Sequence, residues 1–208
     1  MAAEHAALLF QAIAADRAVE ARSGDIEVVS SGPDSAGTTR DTSVVLRELF
    51  AAADQRVLIV GFAVHQGRNV FAVLAERMRQ QADLLVRLCL DVRRAPGDTT
   101  RSDALLRRFA ERFLKQEWPG PRIPEVFYDP RSLNEGDESR ASLHAKCVVV
   151  DGEKAFIGSA NFTEAAQLRN IEIGVVTHRP DVASAVERHF DGLIQHGHLR
   201  GVPLSGLL

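Results

Sequence analysis

The sequence predicts an α/β domain built on a mixed, largely parallel central β-sheet with helices on both faces. Three observations predict it. Residues 56–64 and 84–91 are continuous apolar runs rather than alternating ones, the pattern of strands buried on both faces. Each run is followed by a segment of helical periodicity, 69–81 and 102–117, and alternation of this kind builds a shared sheet from crossover units. A chain of 208 residues with 45% hydrophobic content can bury one substantial core, so a single domain over 1–208 is expected.

The elements follow in order. Leu8, Leu9, Ile13 and Val19 lie at roughly helical spacing, which predicts an amphipathic helix over 1–22 packed on the body of the protein. Residues 26–29 read as a first strand, and 31–39 carry loop chemistry. The run Asp41-Thr42-Ser43 can cap a helix over 44–53, because a short side-chain oxygen accepts from the free amides of the first turn. After the strand at 56–64, the helix at 69–81 places Val70, Val73, Leu74 and Met78 on one side. The strand at 84–91 precedes a strongly charged helix over 102–117, which the prolines between Pro119 and Pro124 stop. A short strand is expected at 125–128, then a polar mobile loop over 129–141 that borders the site. Strands at 143–150, 155–157 and 171–176 and a closing helix at 181–195 complete the reading.

Composition narrows the function. A net charge of -3 and a pI near 6.2 exclude a protein that coats polyanions with its whole surface, so any nucleic-acid affinity must be local. Cys89 and Cys147 each sit inside an aliphatic run and read as buried thiols, which favours a reducing compartment. Glu4 stands where a signal peptide needs a basic residue, and no run of about 18 apolar residues is available to span a bilayer. A soluble, cytoplasmic protein without stable membrane association is expected. His196 and His198 lack the Cys or carboxylate neighbours of a metal site and read as a solvated tail.

The chemistry is concentrated near the C-terminus. On a strand over 143–150, side chains alternate, so His144 and Lys146 share one face. Asp151-Gly152 then turns the chain, and Gly158-Ser159-Ala160-Asn161 bends it back with hydroxyl, amide and backbone N–H groups free for an anion. A lone His-x-Lys is weak evidence, but the arrangement His-x-Lys-x4-Asp-x6-Gly-Ser-x-Asn is hard to reach by chance. It occurs once in the chain.

With these residues the chain resembles the phospholipase D superfamily, whose defining motif matches His144, Lys146, Asp151, Gly158, Ser159 and Asn161. The continuation through Asn161-Phe-Thr and Arg169-Asn170-Ile-Glu172 looks like the short bacterial nuclease-type branch with one motif per chain. Ser31-Gly-Pro, Thr39-Arg-Asp-Thr42 and Val60-Gly-Phe-Ala63 resemble the phospholipase D-like component of the bacterial DISARM anti-phage defence system. The resemblance implies a phospholipase D-like fold and a metal-independent phosphodiesterase, a nuclease of nucleic acid, acting without cofactor through a phosphohistidine. In that scheme one His144 attacks phosphorus, while a second protonates the leaving oxygen and then activates water. Lys146 and Asn161, assisted by Ser159, neutralise and orient the non-bridging oxygens. Glu172 is the candidate carboxylate for orienting an imidazole, reaching across to the opposing half. Asp151 is expected to lock its turn and Gly158 to supply a backbone conformation or close approach.

Two histidines are needed and one motif is present, so a homodimer with a composite site on its two-fold axis is expected. Nucleic acid, DNA before RNA, is the expected partner, together with other proteins of such a defence system. Between Arg87 and Arg122 lie nine Lys or Arg residues against five acids. A solvated helix explains most of them, while Arg93, Arg94 and Arg101 are the candidates for backbone contact, with His65 as a further pocket residue. Two other functions stay open: hydrolysis of a phospholipid headgroup ester, and a nucleic-acid-binding or structural subunit of a defence complex.

Overall fold

A computed structural model describes residues 25–33, 39–135 and 141–204, the side chains of 167 and 168 excepted. The helix expected over 1–22 lies outside the described residues. The strands are β1 (Ile26–Ser31), β2 (Arg40–Asp41), β3 (Arg56–Gly61), β4 (Val64–His65), β5 (Leu85–Leu90), β6 (Glu125–Tyr128), β7 (Cys147–Val150), β8 (Lys154–Gly158), β9 (Phe162–Thr163), β10 (Glu172–Thr177) and β11 (Arg200–Gly201). The helices are α1 (Thr42–Ala51), α2 (Gly67–Val70), α3 (Ala72–Gln80), α4 (Ser102–Arg112), α5 (Glu164–Leu168) and α6 (Pro180–Gln195). A π turn, Phe113–Glu117, prolongs α4, and a 3-10 turn, Pro130–Leu133, occupies the start of the loop expected at 129–141. Residues 136–140 of that loop lie outside the described residues.

The main sheet runs β11-β6-β5-β3-β7-β8-β10-β1-β2. It is mixed but predominantly antiparallel, which corrects the expected largely parallel sheet. Among the described residues of this sheet only β3 with β5, β5 with β6, and β1 with β2 are parallel; β6–β11, β3–β7, β7–β8, β8–β10 and β10–β1 are antiparallel. The reason lies in the connections. Parallel neighbours need a crossover of a dozen or more residues, and only the α2–α3 and α4 segments supply one between adjacent strands of the sheet's centre. The link from β7 to β8 is a tight turn through Asp151 and Gly152, both at positive φ (56° and 69°), which makes those two strands antiparallel. An apolar run reports that a strand is buried, not which way it points.

Alternation along the central strands divides the core in two. Ile59, Val148 and Val150 face a cluster with Phe50, Phe71, Leu74, Phe113 and Trp118, built with α1, α3 and α4. Leu58, Val60, Cys147 and Val149 face Ala183, Phe190 and Val186 of α6. Both cysteines are buried, and burial pushes their thiols up to about 12, so they behave as small apolar groups. At the start of α1, Asp41 Oδ1 accepts from the amides of Ser43 (2.7 Å) and Val44 (3.2 Å), the cap expected there. Among the described residues no helix is long and apolar enough to cross a membrane.

Strand direction then decides where the site residues meet. Antiparallel β7 enters the sheet beside the C-terminal end of β3, with Cys147 opposite Val60. The end of β8 and the start of β10 reach the same edge, with Gly158 opposite Gly174. A two-stranded ribbon, β4 with β9, pairs Val64 with Phe162 and His65 with Thr163 and ties the segments after β3 and β8 together.

Candidate active site

His144 and Lys146 stand immediately before β7, because the strand expected over 143–150 is regular only from Cys147. They remain together nonetheless. Lys146 Nζ donates to the His144 carbonyl at 2.8 Å and lies 3.1 Å from Nδ1 and 3.3 Å from Nε2 of the ring. Lys146 is 8% exposed, whereas His144 opens to solvent. Burial pulls the Lys146 ammonium below the ordinary lysine range, and the charge of Glu172 pulls it back up. Glu172 therefore belongs to the same electrostatic neighbourhood.

A second layer holds His144 from the side. The Phe62 ring meets the imidazole edge-on at 4.8 Å between centroids, and the Arg93 guanidinium covers the Phe62 ring at 4.0 Å. Arg93 is in turn fixed by Asp91 at 2.7 Å, and the same carboxylate accepts from the Leu143 amide at 3.0 Å. Asp91 thus anchors both the segment that delivers His144 and the cation stacked behind it. Burial pushes its carboxyl up, against the pull of the Leu143 N–H and Arg93.

Across the site, Ser159 Oγ donates to Glu172 Oε2 at 2.5 Å and accepts from the Ile173 amide at 3.2 Å. Asn170 Nδ2 donates to the other Glu172 oxygen at 3.4 Å. His144 makes no hydrogen bond to Glu172 of its own chain among the described residues. Asn161 is held by the β4–β9 ribbon, where the Phe162 ring packs on Gly61 so closely that a Cβ there would lie 2.5 Å from it. Asn161 Oδ1 is buried without a hydrogen-bond partner among the described residues, which costs about 1–3 kcal/mol and is seldom kept without a task. A hollow of ≈ 420 Å³ is lined by His144, Lys146, Gly158 and Ser159.

The remaining motif residues lie elsewhere or act through the backbone. Asp151 sits at the opposite edge of the sheet, accepting from the amides of Asp54 (3.0 Å), Gln55 (2.8 Å) and Arg56 (2.8 Å). Gly158 faces Gly174, and the Phe156 ring lies so close to both that a Cβ on either would come within 2.7 Å of it. Arg94 is 3% exposed and donates to the carbonyls of Leu133, Asp98 and Thr100, so it staples a loop rather than facing solvent. Arg101 is exposed and pairs with Asp103. His65 and Arg93 line a cleft of ≈ 530 Å³ beside the His144 site, and α4 adds Arg108 and Arg112 to it. Phe62 and Asp91 carry no signal in the sequence, whereas Arg108 and Arg112, expected on a solvated helix, line this cleft. Among the described residues no group of three or more His, Cys, Asp or Glu side chains is placed to hold a metal ion.

The arrangement sets a buried ammonium beside an exposed imidazole. A family model described as "Cardiolipin synthase, PLD-like domain" matches residues 46–194. The chain therefore belongs to the phospholipase D superfamily and carries its catalytic type of domain. It is 30% identical over 152 residues to DISARM protein DrmC of Bacillus paralicheniformis, covering 73% of this chain and 56% of that protein. A shorter stretch of 52 residues, 25% of this chain and 11% of the relative, is 42% identical to cardiolipin synthase C of Escherichia coli. The chain thus spans little more than half the length of the longer-matching curated relative. Among solved structures, the phospholipase D family member Nuc from Salmonella typhimurium shares the fold at a TM-score of 0.55 and 20% identity, over 85% of this chain and 96% of that one. NucT from Helicobacter pylori shares it at 0.52 and 14%, over 76% and 89%.

Proposed function

We propose that the protein is a homodimeric, metal-independent nuclease that cleaves nucleic-acid phosphodiesters through a phosphohistidine intermediate in bacterial anti-phage defence. The observation that carries this reading is the juxtaposition of an exposed His144 with the buried Lys146 ammonium, with Ser159 lining the same hollow and Glu172 close enough to act on the lysine. The lysine and the Asn161 carboxamide suit the non-bridging oxygens, where negative charge concentrates during transfer.

In the reaction, an imidazole nitrogen of one His144 forms a bond to phosphorus as the bond to the leaving oxygen breaks. The partner's His144, protonated, gives its proton to that oxygen. The partner's His144, now neutral, takes a proton from water; the water oxygen bonds to phosphorus, and the P–N bond breaks. The first imidazole leaves unchanged, so two imidazoles supply nucleophile, acid and base without further groups. Glu172, which among the described residues is held by Ser159 and Asn170 rather than by its own His144, orients the partner's His144 in this scheme.

An exposed apolar sheet face beside the site supports the dimer. Ile157, Val175 and Val28 form one row across β8, β10 and β1, flanked by Ile173 (64% exposed) and Ile26 (51%). A face of this kind beside a half-site is suited to a second copy.

Nuclease assays on single- and double-stranded DNA and RNA in EDTA test the proposal. Wild type is expected to cleave, and folded His144→Ala to be inactive; undiminished cleavage by the variant overturns the assignment. The 52-residue likeness to cardiolipin synthase C supports a second reading, hydrolysis of a phospholipid headgroup ester. Lipid turnover in liposomes without DNA cleavage would select it. The relation to DrmC supports the defence role, and a His144→Ala strain is expected to lose phage protection; full protection would point to a binding subunit instead.

A further inference from the structure

We infer that the cleft between α4 and the segment after β3 is a subsite for one unpaired polynucleotide strand, with Arg108 and Arg112 holding phosphates next to the one at His144. The inference rests on the nucleic-acid reading above and adds residues and strand state to it.

The cleft is continuous with the catalytic edge, since Phe62 and Arg93 line it while Phe62 touches the His144 ring. Arg108 and Arg112 are one helical turn apart on α4, so both project to the same side. Among the described residues neither makes an ion pair; the Asp98 carboxyl is held down mainly by Thr100, with Arg108 adding only a distant charge. The acids that line the cleft are engaged: Asp91 with Arg93 and the Leu143 amide, and the buried Glu117 with the Gly67 amide at 2.7 Å.

The cleft also has layers on which a base can stack. Phe113 and Phe109 are stacked at 6.2 Å, and Arg112 lies over Phe109 at 5.7 Å. On the other side Arg93 lies over Phe62 at 4.0 Å. A planar guanidinium backed by an aromatic ring offers its outer face to a base and its N–H edge to a phosphate. A volume of ≈ 530 Å³ admits a nucleotide unit, and a base stacked on these layers has to be out of its pair.

The test uses the full-length protein and fluorescent oligonucleotides, single-stranded and duplex, with affinity measured across a salt series. For the Arg108→Ala/Arg112→Ala variant, single-strand affinity is expected to fall about tenfold or more and the slope of log K against log salt to shrink by about 1.4, two contacts at about 0.7 each. Arg107→Ala, on the same helix but outside the cleft, serves as the charge control and is expected to keep wild-type affinity. An unchanged slope in the double variant, an equal loss in Arg107→Ala, or duplex binding as tight as single-strand binding overturns the subsite. Wild-type protein that neither binds nor cleaves any nucleic acid overturns the nuclease reading itself, so the two failures are separable.

Discussion

Lys146 works under two opposed influences, burial that disfavours its charge and Glu172 that favours it, with burial the larger. The proposed chemistry needs the ammonium, so activity is lost as pH rises and the proton leaves. The alkaline limb of kcat/KM, which reports the free enzyme, is therefore expected below 10.5, the ordinary lysine value. Glu172→Gln removes the opposing charge and moves that limb to lower pH, whereas Lys146→Arg abolishes it at a reduced rate because a guanidinium stays charged but fits differently. A pH profile identical in all three proteins would remove Lys146 from the phosphate site. At this scale the sequence was most legible. The motif residues are close together in the chain, and their types declare an anion site. Asp91 and Phe62 were not legible, because their link to His144 depends on three strands arriving at one edge.

At the scale of elements, buried strands and amphipathic helices were readable because burial leaves a period in the sequence. Residues 125–128 coincide with β6, and the long closing helix with α6 to within a residue. Direction was not readable, and hence the sheet came out predominantly antiparallel. The two-residue strands β4 and β9 were also missed, since a pair so short carries no period. Their ribbon nevertheless positions Asn161. The other end of the sheet depends on Asp151, whose carboxylate gathers three amides preceding and opening β3. Asp151→Ala is expected to lower unfolding free energy by about 3 kcal/mol, since hydrogen bonds to a charged group are the stronger kind. Urea denaturation measures this; a loss under about 0.5 kcal/mol, the usual range for an inconsequential surface change, would show the turn to be self-supporting.

For the whole molecule, the question is how a chain with one motif completes its reaction. If the apolar face on β8, β10 and β1 meets a second copy, Ile173→Asp places charge in that interface. The variant is expected to sediment as a monomer and to lose cleavage at low protein concentration, with activity partly recovered as concentration rises. Wild-type turnover per chain should fall on dilution in the same way. A fully active monomer would exclude the composite site. The net charge of -3 fits the proposed function, in which contact with a polyanion is confined to the cleft lined by Arg93, Arg108 and Arg112.

The position of Asp151 gives the motif's spacing a meaning of its own. His144 and Asp151 are seven residues apart and lie at opposite rims of the sheet, a span of about 23 Å for extended chain. The signature is thus a ruler laid across the protein, recording strand length as well as chemistry. One residue added within Cys147–Val150 would leave every motif side chain intact yet shift the register of the strand that delivers His144, so the interval carries information as much as the residues it separates.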